Sequence, residues 1–398
     1  MTDVAERLEE LREQGLYRRL RLIEGPQGPS VTLDGGPVLL LCSNNYLGLA
    51  DRAEVREAAA EAALRWGAGA GASRLISGNM EPHRRLEERL AAFKGYESAL
   101  LFGSGYLANS GLVAALAGKG EVVFSDELNH ASIVDGCRLS RAETFVYRHN
   151  DLEHLAWALY HQRGKPVLIV TDGVFSMDGD VAPLPELLEL ARRHGARLMV
   201  DEAHATGAIG PGGRGSVSAA GLSGEVDVVV GTLGKALGSY GAYACANAET
   251  IDYLVNTARP FIFSTAPPPP AVSAAQAALG LLEAEPELVG RLQANAKTLR
   301  TTLRAEGLDV GTARSQVVPI QIGEAETTMQ LCEEALGRRV FAQGIRPPTV
   351  PEGSCRLRCT VMATHKTEEL VWAARQIGAA AREVGLAPAS HAWTARAA

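Results

Sequence analysis

Reactive side chains collect immediately after short apolar runs in this chain. RLMV at 197–200 is followed by Asp201, Glu202, Ala203 and His204, and VDVVV at 226–230 by Gly231, Thr232, Leu233, Gly234 and Lys235. VLIV at 167–170 runs into TDGVFS, ending at Ser176. ALLF at 99–102 runs into Gly103, Ser104, Gly105 and Tyr106, and EVVF at 121–124 into Ser125 and Asp126, with Asn129 and His130 close behind. In an open α/β sheet, ligands bind beyond the carboxyl ends of the strands. These five run ends therefore predict one sheet edge carrying a lysine, a carboxylate, hydroxyls, two histidines and a glycine-rich turn. Most lysines are solvated surface groups. Lys235 differs because it follows an apolar strand and sits among Gly234, Ala236 and Gly238. Partial desolvation there would lower its pKa and make the amine nucleophilic.

Asp201 has two readings that can coexist. A carboxylate at a neighbouring strand end can hold a proton on a pyridine nitrogen, keeping such a ring cationic as an electron sink. It is equally suited to cap a helix beginning at AHATG. The Gly103-Ser104-Gly105 turn has the glycines that let backbone N–H groups approach a phosphate at a helix N-terminus. It also fits a loose dinucleotide fingerprint, with Asp126 as the distant acid, but hydride transfer leaves Lys235 and its glycines unexplained. DEAH at 201–204 resembles the acidic box of helicases. Those also need a lysine followed by Ser or Thr in a phosphate loop, and GKG, GKP and GKA here lack it. A binding-only protein gives no reason for these groups to share an edge.

The elements that must position these groups follow from pattern. The apolar runs show no polar alternation and are separated by helix-like stretches, the signature of a parallel sheet covered on both faces. Leu8, Leu11, Leu16 and Leu20 predict an amphipathic helix within 3–20, and Asp34-Gly35-Gly36 a hairpin. The four prolines at 267–270 read as a rigid connector before a helix at 271–284. A helical stretch (272–306), strand-like VVPIQI, a helix at 326–343, strand-like CRLRCTVM and a last helix complete the chain. The expected organisation is an N-terminal helix and strand arm (1–48), a large α/β domain (49–284) and a smaller α+β domain (285–398).

Bulk properties agree with an ordinary globular protein. The 398 residues are 46% hydrophobic and 21% charged, with a net charge of −7, which argues against nucleic-acid binding. No stretch reaches the roughly 18 uncharged apolar residues of a membrane span, and the N-terminus lacks the pattern of a secretion signal. The six cysteines have no metal-ligand spacing, and no metal site is expected. Cys355 and Cys359, four residues apart in a strand, would lie about 13 Å apart, too far for a disulfide. Reduced core thiols in a cytoplasmic protein are the expectation.

With these residues in place, the chain resembles the α-oxoamine synthase family of fold-type I pyridoxal-phosphate (PLP) enzymes. The resemblance rests on SNNYLGL at 43–49, SRLISGN at 73–79, GSGYLAN at 103–109, NHASIVDG at 129–136, DGVFSMDGD at 172–180, VDEAHATGAIG at 200–210, GTLGKALG at 231–238, FSTAPPP at 263–269 and RPPTVPEG at 346–353. Members condense an amino acid with an acyl thioester, losing carbon dioxide. The resemblance implies an aminotransferase-like fold with a mainly parallel central sheet, and the cofactor as a Schiff base on Lys235, which also moves protons at the substrate Cα. It further implies Asp201 against the pyridine nitrogen, His204 on the ring hydroxyl, His130 stacked on the ring and Ser176 near the ring oxygen. Gly105 and Tyr106 through their backbone, with the Thr232 hydroxyl, would hold the phosphate. Thr265 from a partner subunit would complete that cradle, so a homodimer with shared sites is expected. Arg358, assisted by Asn44, would take the substrate carboxylate, as a planar fork can. Arg356 shares its strand face at period two, with a structural salt bridge as its other reading, and Arg21 is expected as a further substrate contact. The 67–79 and 344–353 segments favour L-alanine with a pimeloyl thioester. Glycine with acetyl-CoA, or both activities, is the alternative. Whether the acyl carrier is CoA or a carrier protein stays open.

Overall fold

The computed structural model describes residues 3–162 and 164–386. It divides into two compact units, one of residues 45–176 and 180–290, the other of 1–44, 177–179 and 291–398. The sequence reads as three successive pieces, whereas the structure groups the N-terminal arm with the C-terminal residues.

The second of these units shows why. Strands β1 (Ile23–Glu24), β2 (Ser30–Leu33) and β3 (Gly36–Leu40) form an antiparallel meander, and β12 (Val340–Phe341) adds to β3 in parallel. Asp34 and Gly35 both take positive φ (47° and 82°), as a two-residue hairpin turn requires. Val31, Leu33, Val38, Leu40 and Phe341 bury a small core on this sheet. The N-terminal helix is shorter than expected, Val4–Glu13 with no buried residue, and ends before Gly15, whose φ is 65°. Strand β14 (Cys355–Thr360) lies between β11 (Val317–Gly323) and β13 (Gln343–Ile345), antiparallel to both. The helix expected over 326–343 stops at Gly337, because Arg339 turns left-handed (φ 64°) and releases β12.

The unit containing Lys235 is built on a seven-stranded sheet: β4 (Ser98–Phe102), β5 (Val122–Asp126), β6 (Glu143–Tyr147), β7 (Val167–Asp172), β8 (Arg197–Asp201), β9 (Val228–Thr232) and β10 (Ala242–Ala246). Their order is β4-β10-β9-β8-β7-β5-β6, and only β10 runs antiparallel to its neighbours. The central strands are buried on both faces. Leu168, Val170, Met199, Val228 and Val230 enter one core with the helices at 105–116 and 131–140. Val167, Ile169, Leu198, Val200 and Val229 enter the other, with the helices at 152–161 and 184–194. This two-residue alternation between two apolar cores explains the absence of polar positions in the runs. The proline tract is only partly a connector: Pro269 and Pro270 form the first turn of the Pro269–Ala284 helix, where a missing N–H costs nothing. The stretch at 272–306 is two helices, interrupted at Glu285-Pro286.

Among the described residues, no helix is long and apolar enough to cross a membrane. All six cysteines are free, five of them buried.

Candidate active site

The carboxyl ends of β7, β8 and β9 and the N-termini of two helices enclose a cavity of about 200 Å³. It is lined by Gly105, Tyr106, His130, Asp201, His204, Thr232 and Lys235 from the sequence reading, and by Asn109, Ser132, Asp172, Val174 and Ala203.

Three residues past β9, the Lys235 amine lies 2.9 Å from His204 Nε2, and the buried Tyr46 hydroxyl 2.6 Å from Nδ1 of the same ring. One imidazole thus joins a phenol to an amine in a single hydrogen-bonded chain. The turn that carries Lys235 is fixed by Gly238, at φ 58°, where a Cβ would come within 2.4 Å of the Ala50 nitrogen.

Asp201 ends β8. Its Oδ1 accepts from the Ala203 N–H at 2.7 Å and its Oδ2 from Asn109 Nδ2 at 2.6 Å. No helix follows, so the cap reading is realised only as a local side-chain turn. Asn109 also donates to Ser132 Oγ at 2.9 Å, and Ser132 Oγ lies 2.7 Å from His130 Nδ1. His130 caps the Ala131–Ser140 helix, accepting from the Ser132 N–H. Burial first, then the charge of Lys235, lowers the His130 pKa against the opposing pull of Asp201. Asp172 pairs in register with Asp201 on the adjacent strand. Full burial, then Asp201, pushes its carboxyl well above the usual range.

The glycine-rich turn leads into a capped helix. Ser104 caps the Gly105–Leu116 helix through Leu107 N–H. A Cβ on Gly105 would meet Thr232 Cγ2 at 2.9 Å. Thr232 Oγ1 is buried without a hydrogen-bond partner. A donor hydroxyl, the open end of a helix and a cation nearby suit a phosphorylated ring that also needs an amine and a carboxylate. Tyr106 is exposed, its hydroxyl on Asp135 at 2.5 Å.

The remaining expected residues do not line this cavity. Ser176 is buried two residues past Val174. Thr265 is exposed and bridges Ser73. In the other unit, Arg358 Nη2 lies 3.4 Å from Asn44 Oδ1. Arg356 is ion-paired with Asp178 and donates to the Ser354 carbonyl, as its salt-bridge reading requires. Arg21 pairs with Glu333 and Asp34. Sequence reasoning missed Tyr46, Asn109, Ser132 and Asp172 as site residues. Asn109 was findable, four residues from Gly105 on the same helical face. Tyr46, 158 residues from His204 in the chain, lies in the SNNYLGL motif, but nothing local pointed to its contact with His204.

The profile of the family "Aminotransferase class I and II" matches residues 36–377. An 8-amino-7-oxononanoate synthase of Geobacter sulfurreducens is 54% identical over 387 residues, covering 96% of this chain and 99% of that protein. Its counterpart in Citrifermentans bemidjiense is also 54% identical, over 97% of this chain and 100% of the relative. Among solved structures, a Sphingomonas wittichii serine palmitoyltransferase superposes with a TM-score of 0.92 at 33% identity, covering 97% of this chain and 98% of that one. An SPT solved with a PLP internal aldimine gives 0.92 at 34%, covering 96% and 98%. The chain therefore belongs to the class I and II aminotransferase family, with the fold-type I architecture, and within it to the α-oxoamine synthases whose motifs it carries.

Proposed function

We propose that this protein is a PLP-dependent acyltransferase that condenses L-alanine with a pimeloyl thioester, giving 8-amino-7-oxononanoate, carbon dioxide and the free thiol, a step of biotin biosynthesis. The observation that carries the reading is local: an amine, an anchored carboxylate and an unpartnered threonine hydroxyl stand at two neighbouring strand ends around one cavity. The names and near full-length identity of the relatives supply the product, 8-amino-7-oxononanoate, and the family resemblance supplies the substrate pair. They favour it over glycine with acetyl-CoA.

When bound, PLP supplies an electron sink for negative charge developing at the amino-acid Cα. Lys235 is the residue that would hold it covalently and carry the Cα proton away and back. His204, between Tyr46 and Lys235, orients that amine and shares its proton. Asp201, held by Asn109 and the Ala203 N–H, would face the pyridine nitrogen. His130, neutral near pH 7 because burial lowers its pKa, suits stacking rather than ion pairing. The Thr232 hydroxyl and the N–H groups of Gly105 and Tyr106 would bind phosphate, and Ser176 would lie near the ring oxygen. Arg358 with Asn44 is the proposed carboxylate fork, and Arg21 a further substrate contact. Arg356 is already engaged by Asp178 and is proposed to brace that strand.

The exposure of Thr265 supports a homodimer in which each subunit's Thr265 serves its partner's phosphate, and the proposed setting of that homodimer is the cytoplasm. Borohydride reduction with peptide mapping tests the site: the pyridoxyl label should fall on Lys235, and a label elsewhere or none overturns it. Comparing kcat/KM for alanine with pimeloyl-CoA against glycine with acetyl-CoA tests the substrates, because specificity is the ratio of those constants. Preference for the second pair overturns the assignment.

A further inference from the structure

His149 lies two residues beyond β6, the edge strand, and does not line the cavity. Both of its ring nitrogens meet carboxylates: Nδ1 is 2.9 Å from Asp126 Oδ1 and Nε2 is 2.7 Å from Asp180 Oδ2. Ionised carboxylates only accept, so two such bonds require two N–H groups and an imidazolium. The ring also packs edge-on against Phe175, with centroids 4.4 Å apart at 88°.

What these partners hold gives the clamp its meaning. Asp126 ends β5 with no side-chain exposure. Its Oδ1 accepts from the Leu128 N–H and its Oδ2 from the Asn150 N–H, both at 2.9 Å. Its carbonyl accepts from the Asn129 N–H at 3.2 Å, one residue before His130. Asp180 accepts from the Phe175 N–H through its own carbonyl at 3.1 Å, and Val174 bridges Val181. One imidazolium therefore joins the turn that ends in His130 to the turn that presents Val174 and Ser176.

We infer that His149 is a positioning residue, a two-ended donor that locks these two turns together and so sets the wall of the cavity on the His130 side. The inference rests on the proposed stacking of His130 against PLP. A neutral side chain such as Gln offers its donors from one end and cannot serve both carboxylates. Burial works to lower the His149 pKa, but the two carboxylates outweigh it and raise the value to about 10, so the clamp stays charged at neutral pH.

The test compares the full-length wild type with His149→Gln and with Asp180→Asn, which removes one carboxylate and leaves the Asp126 end. Amide hydrogen exchange reads the clamp without reference to any cofactor. Peptides covering 127–132 and 173–176 should exchange about tenfold faster in both variants, with the 202–217 region unchanged. On added PLP, the visible circular dichroism of the bound cofactor should weaken and kcat should fall about tenfold, while KM for the amino acid moves less than about threefold. Unchanged exchange in these peptides overturns the inference. So does faster exchange with wild-type circular dichroism and kcat, which would make the cluster a stabilising element only. If His149→Gln does not fold, Asp180→Asn carries both readouts. A wild type that takes up no PLP sinks the PLP reading alone, because exchange still reports the clamp.

Discussion

Asp201 and Glu202 are consecutive, both acidic and both buried, 5% and 0% exposed, yet they face opposite circumstances. Glu202 turns away from the cavity into a closed polar cluster. Lys94 ion-pairs with it, the Ser216 hydroxyl donates at 2.8 Å and the Val217 N–H at 2.6 Å. Lys94 donates further to Thr206 at 3.3 Å. Asp201 faces a cavity whose wall keeps unused hydrogen-bonding capacity: Thr232 Oγ1, Asp172 Oδ1 and Asn109 Oδ1 are buried without partners. Buried polar atoms are nearly always satisfied where stability alone is at stake. Clustered orphans beside one anchored carboxylate mark where ligand atoms belong. The same strand end thus serves two purposes, split by side-chain direction at adjacent positions.

The largest expected effect lies on the Asp201 side. Lys235→Ala should lower kcat/KM by at least about 10³-fold while leaving Tm nearly unchanged, because the role proposed for the lysine lies in the chemistry and not in the core. A steady-state assay with a thermal melt checks it; a large Tm loss would erase the contrast with Glu202. On the other side, Lys94→Met leaves Glu202 charged, buried and short of its cation. Unfolding free energy in urea should fall by about 3–4 kcal/mol, the usual result of orphaning one partner of a buried pair. Activity per folded molecule should stay within about twofold. A catalytic defect larger than that would mean the two faces are coupled.

The His149 clamp allows an intermediate test, by pH. Burial works to lower the His149 pKa, but Asp126 and Asp180 raise it overall from 6.5 to about 10. A raised folded-state pKa contributes stability that is complete below the unfolded value and lost as pH rises through the folded one. The stability difference between wild type and His149→Gln should therefore be greatest at pH 6 and shrink between pH 6.5 and 10. The change should be about 2 kcal/mol after allowance for solvent screening of a partly exposed ring. Denaturant melts of both proteins across that window measure it. A difference independent of pH would show that the clamp does not depend on charge.

How far the sequence revealed this arrangement depends on burial. Strands β4, β5, β7, β8 and β9 were legible because their side chains are buried on both faces, leaving uninterrupted apolar runs. The other two strands of the sheet were not. Strand β6 is an edge strand with mostly exposed or half-buried side chains, and β10 reads AYACA, whose alanines carry no strand preference although all five residues are buried. Lys235, Asp201 and His204 were legible because they follow legible strands directly. Tyr46 and Asp172 were not recognised as site residues. The first depends on a long-range approach to His204, and the second on the register of β7 with β8, which places Asp172 opposite Asp201. Glu202 looked like part of an acidic motif with Asp201. Only the fold separates the two, by supplying Lys94 from a helix 108 residues earlier.

Thr232 offers the finest division between the two kinds of polar group. Its hydroxyl is buried and unpartnered, so in the protein without cofactor it contributes desolvation cost and no bond. Thr232→Val keeps the shape and removes that hydroxyl. The cofactor-free protein should then be as stable as wild type or more so, by up to about 1 kcal/mol. Affinity for PLP should weaken about tenfold, the loss expected for one hydrogen bond to a charged phosphate. A thermal melt before PLP addition and an absorbance titration after it separate the two terms. Loss of stability without PLP would show that the hydroxyl has a structural partner after all. Unchanged PLP affinity would remove Thr232 from the phosphate cradle and leave Gly105 and Tyr106 to form it. Ser216→Ala, which removes a hydroxyl that donates to Glu202 at 2.8 Å, should do the reverse, costing stability and sparing cofactor affinity. The opposite signs at Thr232 and Ser216 are what the comparison of Asp201 with Glu202 requires.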